Sequence, residues 1–144
     1  MIMVNRMFDQ CLYFNTTALA RTLEREWSSA LKPFGLTPSQ AFMLRAIVEH
    51  PGLLQSRLAD ALAISRPTAT RTLDGLQNLG LVERWATESD GRESAIHPTD
   101  SAHAMMKRVG AASAEITRRM KRTLGNARFD DTVSNVRHIR TTLE

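Results

Sequence analysis

A chain of 144 residues, 42 % hydrophobic and 24 % charged, has the length and balance of one globular domain with its own core, which excludes a disordered or fibrous chain. No apolar run approaches the ~18 residues of a membrane span, and the opening MIMVNRMFDQ lacks the apolar stretch of a secretory signal. The net charge of +4 points toward an acidic partner such as nucleic acid, and one cysteine excludes an internal disulfide and fits a reducing cytoplasm.

In chain order, apolar residues at Phe8, Cys11, Leu12, Leu19, Leu23, Trp27, Ala30, Leu31 and Phe34 recur with a helical period and predict a first helix that Gly35 ends. Thr37-Pro38-Ser39-Gln40 reads as a capping box with proline at the first helical position. It opens a second helix whose core face is Phe42, Leu44, Ile47 and Val48, and His50-Pro51-Gly52 stops it. A third, short helix runs from Gln55 to Leu62 with Leu58, Ala59 and Leu62 inward. After a turn at Ala63-Ile64, Ser65 caps a fourth helix with Pro67 in its first turn, which ends at Leu79-Gly80. Leu81–Thr87 and Ser94–His97 are strands around a polar tip with a turn signal at Asp90-Gly91. Thr99 or Asp100 caps a long helix through Met105, Met106, Val109, Ala112, Ile116 and Met120, ending near Gly125. A last helix carries Phe129, Val133, Val136, Ile139 and Leu143.

The expected fold is therefore mainly α with a small β-hairpin wing. It is a winged helix-turn-helix, with a helical dimerisation region formed by the N- and C-terminal helices. Residues 1–35 supply the N-terminal dimerisation helix, 36–100 the winged module and 101–144 the C-terminal dimerisation helices. The terminal helices have apolar stripes wider than one small module covers, and pairing two chains buries them.

Projected at about 100° per residue, the fourth helix divides into an apolar side of Ala69, Leu73, Leu76 and Leu79 and an opposite side of Arg66, Pro67, Thr70, Arg71 and Asp74. The second set suits a major groove. Arginine pairs bidentately with guanine, and threonine bonds a base edge or packs on a thymine methyl. Ser65 and the first amides of that helix, with Gln55 and Ser56 at the start of the third, suit phosphates. Arg92 on the hairpin tip, braced by Asp90, reaches toward a minor groove. Arg84 meets the DNA backbone or shields the sheet. The basic excess does not sit in this module: residues 36–100 carry 6 basic and 8 acidic groups, residues 101–144 carry 9 and 4. The acidic balance is the argument for the alternative, a winged protein-interaction module without operator binding. Steep loss of duplex affinity with salt separates the two.

The run LADALAISRPTATRTLDGLQNLGLVER, followed by DGR and a threonine before a long helix, resembles the MarR family of bacterial transcription regulators, and the resemblance covers nearly the whole chain. It implies a homodimer that binds near-palindromic double-stranded operators, with recognition helices ~34 Å apart, and that represses until a small molecule or an oxidant releases it. On this resemblance Ser65, Pro67, Thr68, Thr70 and Arg71 match the recognition-helix positions and Arg92 the wing arginine. The sequence departs from the family pattern at Ala63, where glycine is frequent, at Leu54, where a capping hydroxyl is usual, and at Pro98, which replaces an apolar residue.

Two regulatory readings remain open. Cys11 occupies a place similar to that of the reactive cysteine in the peroxide-sensing branch of the family. Its shared helical face with Phe8, Leu12 and Leu19 points instead to a buried packing thiol. Trp27, Phe34, Phe42, Met105 and Met106 line a cleft for a small apolar or phenolic effector, or form ordinary core. The cluster Arg118, Arg119, Lys121 and Arg122 is a solvated face or meets an acidic effector. His50, His97, His103 and His138 lack metal-ligand spacing. No nucleophile–base pair, phosphate loop or metal motif indicates catalysis or a cofactor.

Overall fold

The computed structural model describes residues 6–87 and 93–144. The elements are α1 (Leu12–Leu31), a short 3-10 turn (Lys32–Phe34), α2 (Pro38–Glu49), β1 (Leu53–Leu54), α3 (Gln55–Ala61), α4 (Arg66–Asn78), β2 (Val82–Ala86), β3 (Ser94–Pro98), α5 (Asp100–Leu124) and α6 (Asn126–Leu143). The sheet has the order β1-β3-β2 and is antiparallel throughout, with Leu53 opposite Ile96 on one side of β3 and Arg84 opposite Ile96 on the other.

Local chemistry sets most boundaries. The Thr37 hydroxyl accepts the Gln40 N–H at 3.2 Å, and Gln40 Oε1 accepts the Thr37 N–H at 3.0 Å, so the capping box is complete. Gly80, at φ +72, carries the chain out of α4 in the left-handed region that glycine adopts without penalty, and Leu81 N–H returns to Leu76 C=O at 3.0 Å. Thr99 occupies the N-cap position of α5, but its hydroxyl donates to Gly80 C=O at 2.8 Å rather than capping the helix. That bond ties the start of α5 to the end of α4.

The core lies inside the winged module. Met43, Leu44 and Ile47 of α2, Leu58 of α3, Leu73 and Leu76 of α4 and Ile96 of β3 are fully buried together, joined by Leu31 from the end of α1. Ala102 and Val109 extend this core onto α5.

Several expectations are corrected. α1 begins at Leu12, not near Phe8, because Cys11 has extended backbone and acts as its N-cap. Phe42 is 49 % exposed, and Met43 takes the core position instead. Leu79 is half-exposed, because it is the C-cap residue where the chain leaves the helix axis. β1, two residues long, has no counterpart among the expected strands. Among the described residues no helix is long and apolar enough to cross a membrane.

Candidate nucleic-acid interface

The turn between α3 and α4 presents the reading helix. Ala63 sits at φ +54, a left-handed conformation that costs a non-glycine residue about 1–2 kcal/mol. The turn holds it there by bonds from Ala63 N–H to Asp60 C=O and from Ile64 N–H to Ala59 C=O, both 3.1 Å. Ser65 then caps α4, its Oγ accepting the Thr68 N–H at 3.3 Å while its hydroxyl donates to Thr68 Oγ1 at 2.9 Å.

α4 buries Ala69, Leu73 and Leu76 and leaves Arg66, Pro67, Thr70 and Arg71 exposed. This face is preorganised by short-range bonds. Thr70 Oγ1 donates to Arg66 C=O at 3.0 Å and accepts from Gln55 Nε2 at 3.0 Å, which links α3 to α4. Arg71 donates to Thr68 Oγ1 at 3.3 Å, which aligns its guanidinium along the helix. Asp74, expected on the same face, is taken up by Arg84 of β2 at 2.6 Å, and Arg84 also donates to Gln77. Arg84 is thus a brace between β2 and the C-terminal half of α4. The Ser56 N–H is likewise occupied: it donates to Glu93 Oε1 at 3.0 Å. Asp90 and Arg92 lie outside the described residues.

A second feature is a cleft of about 830 Å³ between α1, α2 and α5, lined by Trp27, Phe42, Arg45, Met106, Lys107 and neighbouring residues. Phe34 and Met105 are not on its wall. Met105 packs on the core, and Phe34 lies under the Arg108 guanidinium, 5.1 Å from the ring centre. The Trp27 Nε1–H is buried with no hydrogen-bond partner, a costly arrangement for a polar group unless something in the cleft accepts from it.

Cys11 is exposed, and its Sγ accepts the Phe14 N–H at 3.5 Å as the α1 cap. The expected packing of this thiol within the chain does not occur, because Cys11 lies at the N-cap, one turn before the helical period begins. The basic cluster near the end of α5 is paired: Arg118 and Arg122 with Glu115 at 2.8 and 3.4 Å, Arg119 with Glu26 at 3.6 Å, and Lys121 with Asp130 at 3.9 Å. Hydrogen bonds from Arg118 and then Arg122 hold the Glu115 carboxyl below its ordinary pKa. Among the described residues no group of three or more His, Cys, Asp or Glu is placed to hold a metal ion.

Glu93, Arg45 and Lys107 were not singled out from the sequence. The signal for Glu93 was present: Leu54 cannot cap α3, so an acceptor had to come from elsewhere. Arg45 and Lys107, on the wall of the cleft, carried no such signal, because a charge on a helix reads the same whether it faces a cleft or open water.

Comparison with known proteins agrees with this geometry. The model of the MarR family matches residues 34–93. The HTH-type transcriptional repressor Rv2887 of Mycobacterium tuberculosis is 33 % identical over 102 residues, spanning 68 % of this chain and 73 % of that protein. An uncharacterised HTH-type transcriptional regulator of Bacillus subtilis, YybA, is 28 % identical over 101 residues, 68 % of this chain and 67 % of its own length. Among solved structures, the transcriptional repressor CouR bound to a 23-mer DNA duplex superposes with a TM-score of 0.86 at 26 % identity, covering 92 % of this chain and 94 % of that one. With the helix-turn-helix, the three-stranded wing sheet and the flanking helices in place, the chain belongs to the MarR family of winged-helix transcriptional regulators.

Proposed function

We propose that this chain is a homodimeric repressor that reads a near-palindromic operator in double-stranded DNA in the cytoplasm. Residues 36–100 are the reader, and residues 1–35 and 101–144 form the dimerisation region. What carries this reading is the face of α4. Arg66, Thr70 and Arg71 stand exposed opposite a fully buried Leu73 and Leu76, with the Thr70 and Arg71 side chains held by hydrogen bonds along the helix. Arg66 and Arg71 take guanine edges, Thr68 and Thr70 take base edges or thymine methyls, and Pro67 fixes the first turn. Ser65, the first amides of α4 and Gln55 take phosphates. Arg92, with Asp90 bracing it, is assigned to the minor groove on sequence grounds alone. Arg84 is assigned to bracing α4 rather than to a phosphate.

The dimer follows from α1 and α6, whose apolar residues Leu12, Leu19, Val133, Val136, Ile139 and Leu143 are all exposed in the single chain. The cleft beneath Trp27 is assigned to a small apolar or phenolic effector. Binding there shifts the population toward dimers whose half-site spacing no longer fits the operator. Release by oxidation at Cys11 is the less favoured route, since its sulfur serves as a helix cap.

Selection of bound sequences from random duplexes, followed by titration at several salt concentrations, tests the reading. The expected result is an inverted repeat whose affinity falls steeply with salt. Binding without sequence preference, or no binding, overturns it in favour of a protein-interaction module.

A further inference from the structure

α3 begins without a cap of its own. Its N-cap residue is Leu54, in extended backbone, with no side-chain acceptor. The first amides of a helix have no intrahelical partner and are normally served by Ser, Thr, Asp or Asn at this position. Here the acceptor comes from 37 residues downstream, where Glu93 Oε1 takes the Ser56 N–H at 3.0 Å. The charges of Arg66 of α4 and Arg57 of α3 favour the same carboxylate. Together these contacts, Ser56 foremost, hold the Glu93 carboxyl below its ordinary pKa.

Glu93 stands immediately before β3, and its carbonyl accepts the Thr87 hydroxyl at 3.1 Å. The same residue therefore closes the base of the β2–β3 hairpin and fastens it to α3. Arg84 of β2 braces the C-terminal half of α4 through Asp74 and Gln77, farther down the hairpin strands than Glu93. The β1–β3 ladder ends at Ala95, opposite Leu54, so Glu93 is a tie on the hairpin side of it. Between the hairpin base and the α3–α4 pair lies a hollow of about 360 Å³, bordered by Gln55, Ser56, Arg66, Thr70, Glu93 and Ser94. Side chains do not fill this space, so a carboxylate spans what packing leaves open.

We propose that Glu93 is a positioning residue: its carboxylate clamps the hairpin base to the N-terminus of α3 and so sets how the hairpin and α4 meet a duplex together. This rests on the DNA-reading function proposed above. It also explains why Leu54 is tolerated where a capping hydroxyl is usual, since the cap is supplied across the fold and joins two parts that must act together.

The test compares Glu93→Ala, Glu93→Gln and the double variant Leu54→Thr/Glu93→Ala with the parent chain. Three measurements are made: the melting temperature, operator affinity at fixed salt, and the pH dependence of the Ser56 amide resonance. In the parent the Ser56 amide follows a titration whose midpoint lies below that of a free glutamate, and Glu93→Gln abolishes it. Glu93→Ala lowers the melting temperature and weakens operator binding ~10-fold, the scale of one charged hydrogen bond. Leu54→Thr gives α3 a local cap, so the double variant regains the melting temperature. Its operator affinity stays low, because a local cap cannot reach the hairpin. Recovery of affinity in the double variant would make Glu93 a cap and nothing more, and overturn the positioning role. Unchanged affinity in Glu93→Ala, or a Ser56 amide indifferent to pH, overturns it as well. A parent chain that binds no duplex at all removes both this role and the proposed function, whereas a parent that binds normally beside an unaffected Glu93→Ala removes this role alone.

Discussion

The winged module and α6, the last helix outside it, dispose of their apolar residues in opposite ways. In the module Leu44, Ile47, Leu58, Leu73, Leu76 and Ile96 are all at 0 % exposure. In α6 no residue is buried, and Val133, Val136, Ile139 and Leu143 form a stripe at helical spacing that remains 39–79 % exposed. Fully burying one such side chain contributes roughly 1.5–3 kcal/mol, so a row left about half exposed forfeits several kcal/mol, a sizeable part of a domain's stability. The module is held by contacts within the chain. α6 presents a surface that a single chain leaves open, and in the proposed homodimer a second copy with the same stripe covers it by symmetry.

That contrast can be broken most directly at the stripe. Val136→Asp places a charge in the proposed dimer seam. Sedimentation should show a monomer, and operator affinity should fall on the order of 100-fold as the second half-site contact is lost. A dimer that still binds as before would dissolve the comparison. Next in size is the module's own core. Leu73→Ala should cost about 2–5 kcal/mol in chemical denaturation, because a 0 % exposed side chain is removed between α4 and the rest of the core. A loss under ~1 kcal/mol would mean that the site collapses around the gap.

Arg71→Ala should weaken operator binding by about 1–3 kcal/mol and relax sequence preference at one position. Its melting temperature should stay near that of the parent, since the exposed Arg71 side chain bonds only Thr68 Oγ1 among the described residues. A shift in stability without a shift in preference would return Arg71 to the role of a solvated helix residue. The smallest effect is expected in the turn. Ala63→Gly relieves the left-handed strain at φ +54 and gives back part of it as extra freedom in the unfolded chain, for a net stabilisation of about 0.5–1 kcal/mol. Thermal melts read this change, and destabilisation would show that the turn is not strained.

Much of this architecture is written locally in the chain. Thr37 and Gln40 are three residues apart, and a capping box needs nothing else. Ser65, Pro67 and Gly80 mark both ends of α4, and its two faces follow from a period that one helix carries in full. What escapes sequence reading depends on distant partners. Two residues of β1 have no period to read, and they become a strand only because Ile96 and Ala95 lie beside them. Phe42 and Met43 exchange roles because α2 borders the core on one flank and the cleft on another. The apolar spacing of α1 runs back through Cys11, but the cap bond to Phe14 N–H decides where the helix starts. Arg84, Asp74 and Glu93 all look like free surface charges in the sequence, and each is committed to a partner that only the fold brings near. At the site, the exposed face of α4 could be read from its own residues, whereas the bonds that fix it to α3 and to the hairpin could not.

In the proposed complex two copies of the Arg66–Thr70–Arg71 face meet successive major grooves on one side of a duplex. Hydroxyl-radical footprinting with methylation interference on a selected operator tests it most directly. The expected pattern is two protected blocks centred about 10–10.5 base pairs apart on the same face of the DNA, with guanine N7 interference in each that Arg71→Ala removes. A lone protected block, or protection that Arg66, Thr70 and Arg71 substitutions leave untouched, would contradict it.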